Sequence, residues 1–331
     1  MNDERPFRLG FLSHVASVGE PRAALRETLR LFVIAEELGL DSAWVVQHHV
    51  GAERGHLPSP FVFMAAVAER TSRIRLGAVV VTLPLEHPVR VAEDAAVADL
   101  LSGGRLEVGI GTSGHERSFT ALGTDFETRR ERNRASADEL TDALANRPLP
   151  GGERLTPRVP GLVDRLWRAT SSESGVAETA RAGHGLLLAR SAFTGPTRDI
   201  QPPLAESYLS TYRRAGHTRT PRIGVTRSVY PAASREQAVA DLEAGARDWT
   251  KTMAADRIAP GLPAAELFAR HHIIYGHISD VVAALWADRV LKHATDLLVQ
   301  VQPGLPGFAK TVAALETIAT EVAPALGWHP A

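Results

Sequence analysis

The sequence predicts an α/β chain folded as a (β/α)8 TIM barrel, with insertions at the C-terminal face of the strands. Three observations predict it. Two almost wholly apolar runs, IRLGAVVVTL from Ile74 and LEVGIG from Leu106, flank a helix-like run that opens at Pro88. Strands apolar on both faces belong to a parallel sheet covered by helices. Eight such strand candidates occur, most of them followed by a helix-like segment, and eight alternating units read as one barrel rather than two domains. Both apolar runs end in small, polar or proline residues, at the strand ends where a parallel barrel assembles its chemistry.

In order, the expected strands are Phe7–Leu12, Ser42–Val46, Ile74–Thr82, Leu106–Ile110, Leu166–Thr170, Leu186–Ala189, Ile223–Tyr230 and Asp296–Gln302. The first helix carries Leu25, Leu29, Phe32 and Val33 at helical spacing and stops at Gly39. The last repeats the pattern with Phe308, Val312, Leu315, Ala319 and Val322. Two stretches break the rhythm. Residues 147–165 are rich in Pro and Gly and read as a loop after the fourth helix. Residues 249–275 form a helical pattern with no strand before it. Both are expected to be insertions in a single domain spanning 1–331, the kind of segment that builds lids and substrate walls.

Composition excludes several classes. The 37 basic and 38 acidic side chains nearly cancel, so nothing marks a nucleic-acid surface. No apolar run approaches the roughly 20 residues that span a bilayer. Absence of cysteine removes disulfides, thiolate nucleophiles and Cys-ligated metals. The charged start, MNDERPFRLG, is unlike a signal peptide, and a cytoplasmic location is expected.

Residues that could carry chemistry cluster at strand ends. Alternation sends His48 and His49 to opposite sides after strand two, so one of them faces the barrel mouth. A histidine there can move a proton near neutral pH; equally, it can be a packed ring bonded to a carbonyl. A metal site would need His14 or His115 as further ligands, and no acidic pair with metal spacing accompanies them, so no metal is expected. The turn Thr170–Glu178 offers small hydroxyls and Gly175 at a helix start, which suits an anion. It also reads as a capping box at Ser174. Gly109, Gly111 and Gly114 mimic a dinucleotide fingerprint without its acidic partner, and more plainly leave room for a flat ligand. Arg90 and Arg105 read as structural ion-pair formers.

The run LG-x5-LP-x2-HPVR-x-AED (Leu76 to Asp94), Gly104-Arg105 and F-x3-GTDF (Phe119 to Phe126) resembles the bacterial luciferase-like, flavin-dependent monooxygenases. Glu173-Ser174, His184-Gly185 and the Gln47-His48-His49 turn extend the likeness. Leu57–Pro60, Arg73–Gly77 and Leu83–Pro88 are similar to motifs of a putative FMN-dependent group within it. The resemblance implies a barrel that binds reduced FMN, with a non-proline cis peptide at Val79-Val80 under the flavin ring. It also implies a phosphate site at Glu173, Ser174, Gly175, Val176 and Ala177, and a catalytic histidine at His48. His14 and His115 are weaker candidates for substrate contacts.

Two positions depart from luciferase. Thr112 stands where luciferase has an arginine near the phosphate, and Gly111 where it has a cysteine beside the flavin. Loss of the guanidinium removes a bidentate phosphate donor. Light emission is therefore not implied. The resemblance implies a two-component monooxygenase in which a separate reductase supplies reduced FMN. With O2 as co-substrate, a small organic substrate would be oxygenated through a flavin peroxide. A homodimer is implied, with residues 60–70 at its interface. Three alternatives stay open: a deazaflavin-dependent oxidoreductase on the same fold, a non-catalytic partner subunit, and a metal-dependent hydrolase using His14, His48 and His49.

Overall fold

The computed structural model describes residues 5–16, 20–51, 55–190, 197–253 and 261–330. Its strands are β1 (Arg8–Ser13), β2 (Ser42–Val45), β3 (Arg75–Thr82), β4 (Leu106–Gly111), β5 (Leu166–Ala169), β6 (Gly185–Leu188), β7 (Ile223–Pro231), β8 (Ile273–Gly276) and β9 (Asp296–Gln300). All pairings are parallel, and β1 to β7 follow one another around a ring that β9 closes by pairing with both β7 and β1. The eight expected strands form this (β/α)8 barrel, each within two residues at either end.

The ninth strand, β8, was not among them. It pairs with Ser228–Pro231 at the top of β7 and stands outside the ring. It lies in the stretch 249–275, which otherwise holds the end of one helix and the short helix at Ala264–Arg270. Residues 254–260 of that stretch fall outside the described residues. Residues 147–165 carry a cis Thr156-Pro157 bond and a 3-10 turn at Val163–Arg165.

The helices on the outside are α1 (Pro21–Glu37), α2 (Pro60–Ala68), α3 (Pro88–Leu101), α4 (Glu116–Ala121), α5 (Arg129–Leu144), α6 (Glu173–Arg181), α7 (Thr197–Arg214), α8 (Arg235–Met253), α9 (Ala264–Arg270), α10 (Ile278–Trp286) and α11 (Phe308–Thr317). Proline at the first turn starts α1, α2 and α3, where its missing N–H costs nothing. The face α1 buries is Ala24, Thr28, Leu31, Phe32 and Ala35. Leu25 and Leu29 sit at its border, so the stripe is rotated from the expected one and centred on Phe32, which meets Phe11 and Phe63 edge-on.

Inside the ring the side chains fall into layers. At the N-terminal end lies a charged floor. Arg75 Nε donates to Glu107 Oε1 at 2.5 Å, Arg222 and Trp167 Nε1 reach Glu107 Oε2 at 3.3 and 2.8 Å, and Arg8 pairs with Asp296 at 2.7 Å. Burial pushes the Asp296 carboxyl up against the opposing pull of Arg8. Above the floor, Trp44 and Trp167 meet edge-on at 5.8 Å among Leu12, Leu187 and Leu298. Neighbouring strands yield room for them. A Cβ at Gly77 would lie 2.1 Å from the Trp44 ring, and one at Gly185 2.3 Å from Trp167. The middle of the lumen is thus a packed plug, and the C-terminal end of the barrel, where parallel barrels assemble their chemistry, lies above it.

Candidate active site

Val79 and Val80 lie half-buried on top of that plug, packed with Val46 and Ala169 against the two tryptophans and their aliphatic neighbours. The peptide between them is cis, and the β3–β4 register shifts between Ala78 and Val81 around it. β4 accommodates the irregularity with glycine. A Cβ at Gly109 would stand 2.4 Å from the Ala78 carbonyl oxygen, and one at Gly111 2.8 Å from Val80 Cγ2. Gly109 and Gly111 of the apparent fingerprint therefore serve close packing against β3. The product is an apolar shelf facing the mouth.

On the β1–β2 side of the mouth stand the histidines. His14 Nδ1 and His48 Nε2 are 3.0 Å apart, with their rings stacked at 5.3 Å. His115, in the loop after β4, lies 6.2 Å from His48 between ring centroids. His49 turns the other way, as strand alternation requires. Its Nε2 is 3.6 Å from Glu86 Oε1, and burial holds its pKa below the usual histidine value. Among the described residues, no group of three or more His, Asp or Glu could hold a metal ion.

One buried residue was noticed in the sequence only as part of a motif. Gln47 Oε1 accepts from the Thr82 N–H at 2.6 Å, while its Nε2 donates to Pro58 O and Glu86 Oε1 at 2.9 and 2.8 Å. This amide ties the end of β2, the loop before α2 and the end of β3 together, and so fixes the histidines relative to the shelf. An amide between two apolar strand ends was the available signal, since buried polar groups demand partners.

On the opposite side of the shelf, α6 points its N-terminus towards the ends of β4 and β5. Its cap is Ser172 rather than Ser174: Ser172, extended at φ −105°, accepts from the Gly175 N–H at 3.2 Å. The capping box at Ser174 is corrected accordingly. Ser174 lies one residue into the helix, its Oγ 3.5 Å from that of Ser172. Thr170 Oγ1 receives the Ser172 N–H and sits where a Cβ at Gly175 would strike it, 2.3 Å away. With Gly175 and Val176 amides engaged by Ser172, those of Glu173 and Ser174 stand at the open end of the helix. The Glu173 side chain is exposed, and a carboxylate repels an anion, so its amide is the useful group. Val176 is buried and anchors the turn, and Ala177 follows half-buried. Thr112, half-buried beyond β4, lies between shelf and helix and brings a hydroxyl.

These groups fit a flavin mononucleotide: an apolar shelf for a ring system on β3, and two strands away, after β5, a helix N-terminus with hydroxyls for a phosphate dianion. Beside the mouth, a cleft of about 380 Å³ is lined by Val50, Gly51, Gly114, His115, Glu116 and Ser118. Ser118 Oγ donates to the His49 carbonyl and fastens α4 to the β2 loop.

Sequence comparison identifies the family to which this barrel belongs. The profile of the luciferase-like monooxygenase family matches residues 7–293, and the chain belongs to that family. It is 34% identical over 255 residues to the 4-hydroxyprotoasukamycin monooxygenase of Streptomyces nodosus subsp. asukaensis, covering 71% of this chain and 67% of that one. The chain spans only about a third of the alkanal monooxygenase alpha chains it matches. Among solved structures, the monooxygenase RslO1 of Streptomyces bottropensis shares the fold at a TM-score of 0.83 and 23% identity, covering 96% of this chain and 99% of its own. The oxygenating constituent of 3,6-diketocamphane monooxygenase from Pseudomonas putida, in complex with FMN, does so at 0.74 and 18%, covering 96% and 98%. An F420-dependent secondary alcohol dehydrogenase shares the fold at 0.73 and 15%, covering 97% and 99%.

Proposed function

We propose that this chain is the oxygenating component of a two-component, FMN-dependent monooxygenase that acts on a small organic molecule. The observation that carries the reading is the half-buried Val79-Val80 shelf, set between the His14–His48 pair and the α6 N-terminus. Reduced flavin supplies the two electrons with which dioxygen gives one atom to the substrate and releases the other as water.

The residues divide the remaining work. Val79 and Val80 support the ring, and the packed tryptophans beneath exclude water from that side. The Glu173 and Ser174 amides, the Ser174 hydroxyl and the turn through Gly175, Val176 and Ala177 hold the phosphate, with Thr112 contributing a hydroxyl. His48 takes or returns a proton at the mouth. His115, on the cleft beside it, meets the substrate. No dinucleotide fingerprint accompanies the barrel, so a separate reductase supplies the reduced flavin. α2 and α3 pack together and expose Val62, Val97, Leu100 and Leu101, an apolar strip that a second copy of the chain covers in a homodimer.

The F420-dependent dehydrogenase, whose cofactor is a deazaflavin, has the same fold, so the test must include that cofactor. The purified protein is titrated anaerobically with photoreduced FMN, reduced riboflavin and a reduced deazaflavin, then given oxygen. FMN binding tighter than riboflavin, with oxygen uptake, is expected. Deazaflavin binding without oxygen uptake would place the chain in the hydride-transfer branch. No binding of any of the three would leave a partner subunit.

A further inference from the structure

The His14–His48 contact is held from three directions. Val15, immediately after His14, sits in the left-handed region at φ 53°, a conformation that a β-branched residue adopts only when its surroundings hold it there. Its N–H bonds Ser13 Oγ at 3.0 Å and its carbonyl accepts from the His56 N–H at 3.1 Å. The His48 N–H donates to the Leu57 carbonyl at 2.9 Å. Gly55 lies across both: a Cβ there would stand 2.1 Å from the His14 carbonyl oxygen and 2.8 Å from His48 Cδ2. Both backbones are therefore clamped by one short segment, and their imidazoles meet nitrogen to nitrogen.

Between two neutral imidazole nitrogens there is room for one hydrogen. If His48 Nε2 carries it, Nδ1 of His48 is left with a lone pair; if His14 Nδ1 carries it, Nδ1 of His48 keeps its own hydrogen. The pair ties the tautomer of each ring to that of the other, so the two cannot change independently. We propose that His14 is a positioning residue for His48, whose shared hydrogen couples the tautomer of His48 to its own and holds the ring in the orientation it presents to the barrel mouth. His14 Nδ1 is then engaged by His48 rather than by substrate, which replaces the weaker role the sequence suggested for it. The inference rests on the reading of His48 as the proton-handling group.

The test compares wild type, His14→Leu, His14→Asn, His48→Asn and the double variant His14→Leu/His48→Asn. Asn places an amide where Nδ1 of histidine stands, so it keeps a hydrogen-bonding partner that Leu removes. Nitrogen-15 NMR of histidine-labelled protein, without cofactor, reads the tautomer of His48. His14→Leu is expected to shift the tautomer balance of His48, and His14→Asn to bring it back towards wild type. An unchanged His48 signal in His14→Leu overturns the pairing. Re-oxidation of bound photoreduced FMN after an oxygen pulse gives the second readout. His14→Leu should change its rate by about 10-fold or more, within the range of general acid–base effects, and His14→Asn should restore it. The same substitution should add nothing in the His48→Asn background, where the coupling to His48 is already lost. Additive effects overturn the proposal. A normal rate in His48→Asn instead overturns the role given to His48 while the NMR result on the pairing stands.

Discussion

Gly111→Ala is the smallest change that should disturb the shelf. Gly111 lies in β4 outside the left-handed region, so alanine adopts its backbone freely, and loss of unfolded-state freedom alone would stabilise by about 0.4–1 kcal/mol. Packing opposes this. The new Cβ would stand 2.8 Å from Val80 Cγ2, 3.4 Å from its Cβ and 3.5 Å from its Cγ1. Carbon contacts settle near 3.5–4.0 Å, so Val80 must retreat by roughly 0.7 Å. It has one rotatable side-chain bond, and overpacking of this kind costs about 1–3 kcal/mol. If the strain is relieved by turning Val80 towards the mouth, the same energy appears as a rise in the FMN dissociation constant of about 5- to 150-fold. Thermal midpoint and FMN affinity should be measured for wild type, Gly111→Ala, Val80→Ala and the double variant. Removing both Val80 methyls opens the space, so the penalty of Gly111→Ala should largely vanish in the Val80→Ala background, a coupling of about 1–3 kcal/mol. A Gly111→Ala protein with wild-type stability and affinity refutes the packing argument, and so does an equal penalty in both backgrounds.

Three further outcomes are expected. Glu107→Leu strips the barrel floor of the carboxylate shared by Arg75, Arg222 and Trp167, and should cost about 1–3 kcal/mol in denaturation, because two half-buried guanidinium groups and a buried indole N–H lose their partner. His184 is held neutral, its pKa pushed down to about 3 by burial and by Arg168, whose Nε donates to His184 Nδ1 at 3.0 Å. An unfolded histidine titrates near 6.5, so stability is full above that pH. It falls by about 1.4 kcal/mol per unit as the pH drops from 6.5 towards 3, while only the unfolded chain takes the proton. In His184→Gln this share of the acid slope should disappear, which denaturation curves between pH 4 and 7 would reveal; an unaltered slope would contradict it. Leu100→Glu places a charge in the exposed α2–α3 strip and should shift the chain to a monomer in sedimentation, whereas an unchanged mass would remove that strip from the interface.

What the sequence made legible depended on how local the physics was. The eight ring strands could be read because each is a short, largely apolar run, in most cases followed by a helical pattern. β8 escaped because Ile273–Gly276 is short, meets only the top of β7 and follows a helical pattern. The cap of α6 was misplaced by two residues because Ser171, Ser172 and Ser174 are all chemically able to cap, and only backbone conformation chooses Ser172. The divergence of His48 and His49 followed from strand alternation alone. The His14–His48 bond did not, because it needs Val15 in a left-handed turn and residues 55–57 folded against the His14 backbone and the His48 ring. Likewise the floor charges are far apart in the chain, from Arg8 to Asp296, and strand register is what brings them into one layer.

The absent guanidinium at Thr112 bears on how a flavin would be held. In the proposed reading, the phosphate meets amides, hydroxyls and the α6 dipole, together worth less than a bidentate arginine. The nearby cations do not compensate. Arg134 is paired with Glu178 at 2.8 Å, and Arg168 faces Asp138 and His184 behind the sheet. The ring's half of the site, by contrast, rests on packed side chains, with Val79 and Val80 against Trp44, Trp167 and their aliphatic neighbours and Gly77 and Gly185 pressed close to the two indoles. Affinity should therefore come more from ring burial than from phosphate charge, and its salt dependence should be shallow. Such a balance suits a component that takes reduced flavin from another protein and releases the oxidised form, since a flat ring changes shape and charge with redox state while a phosphate does not.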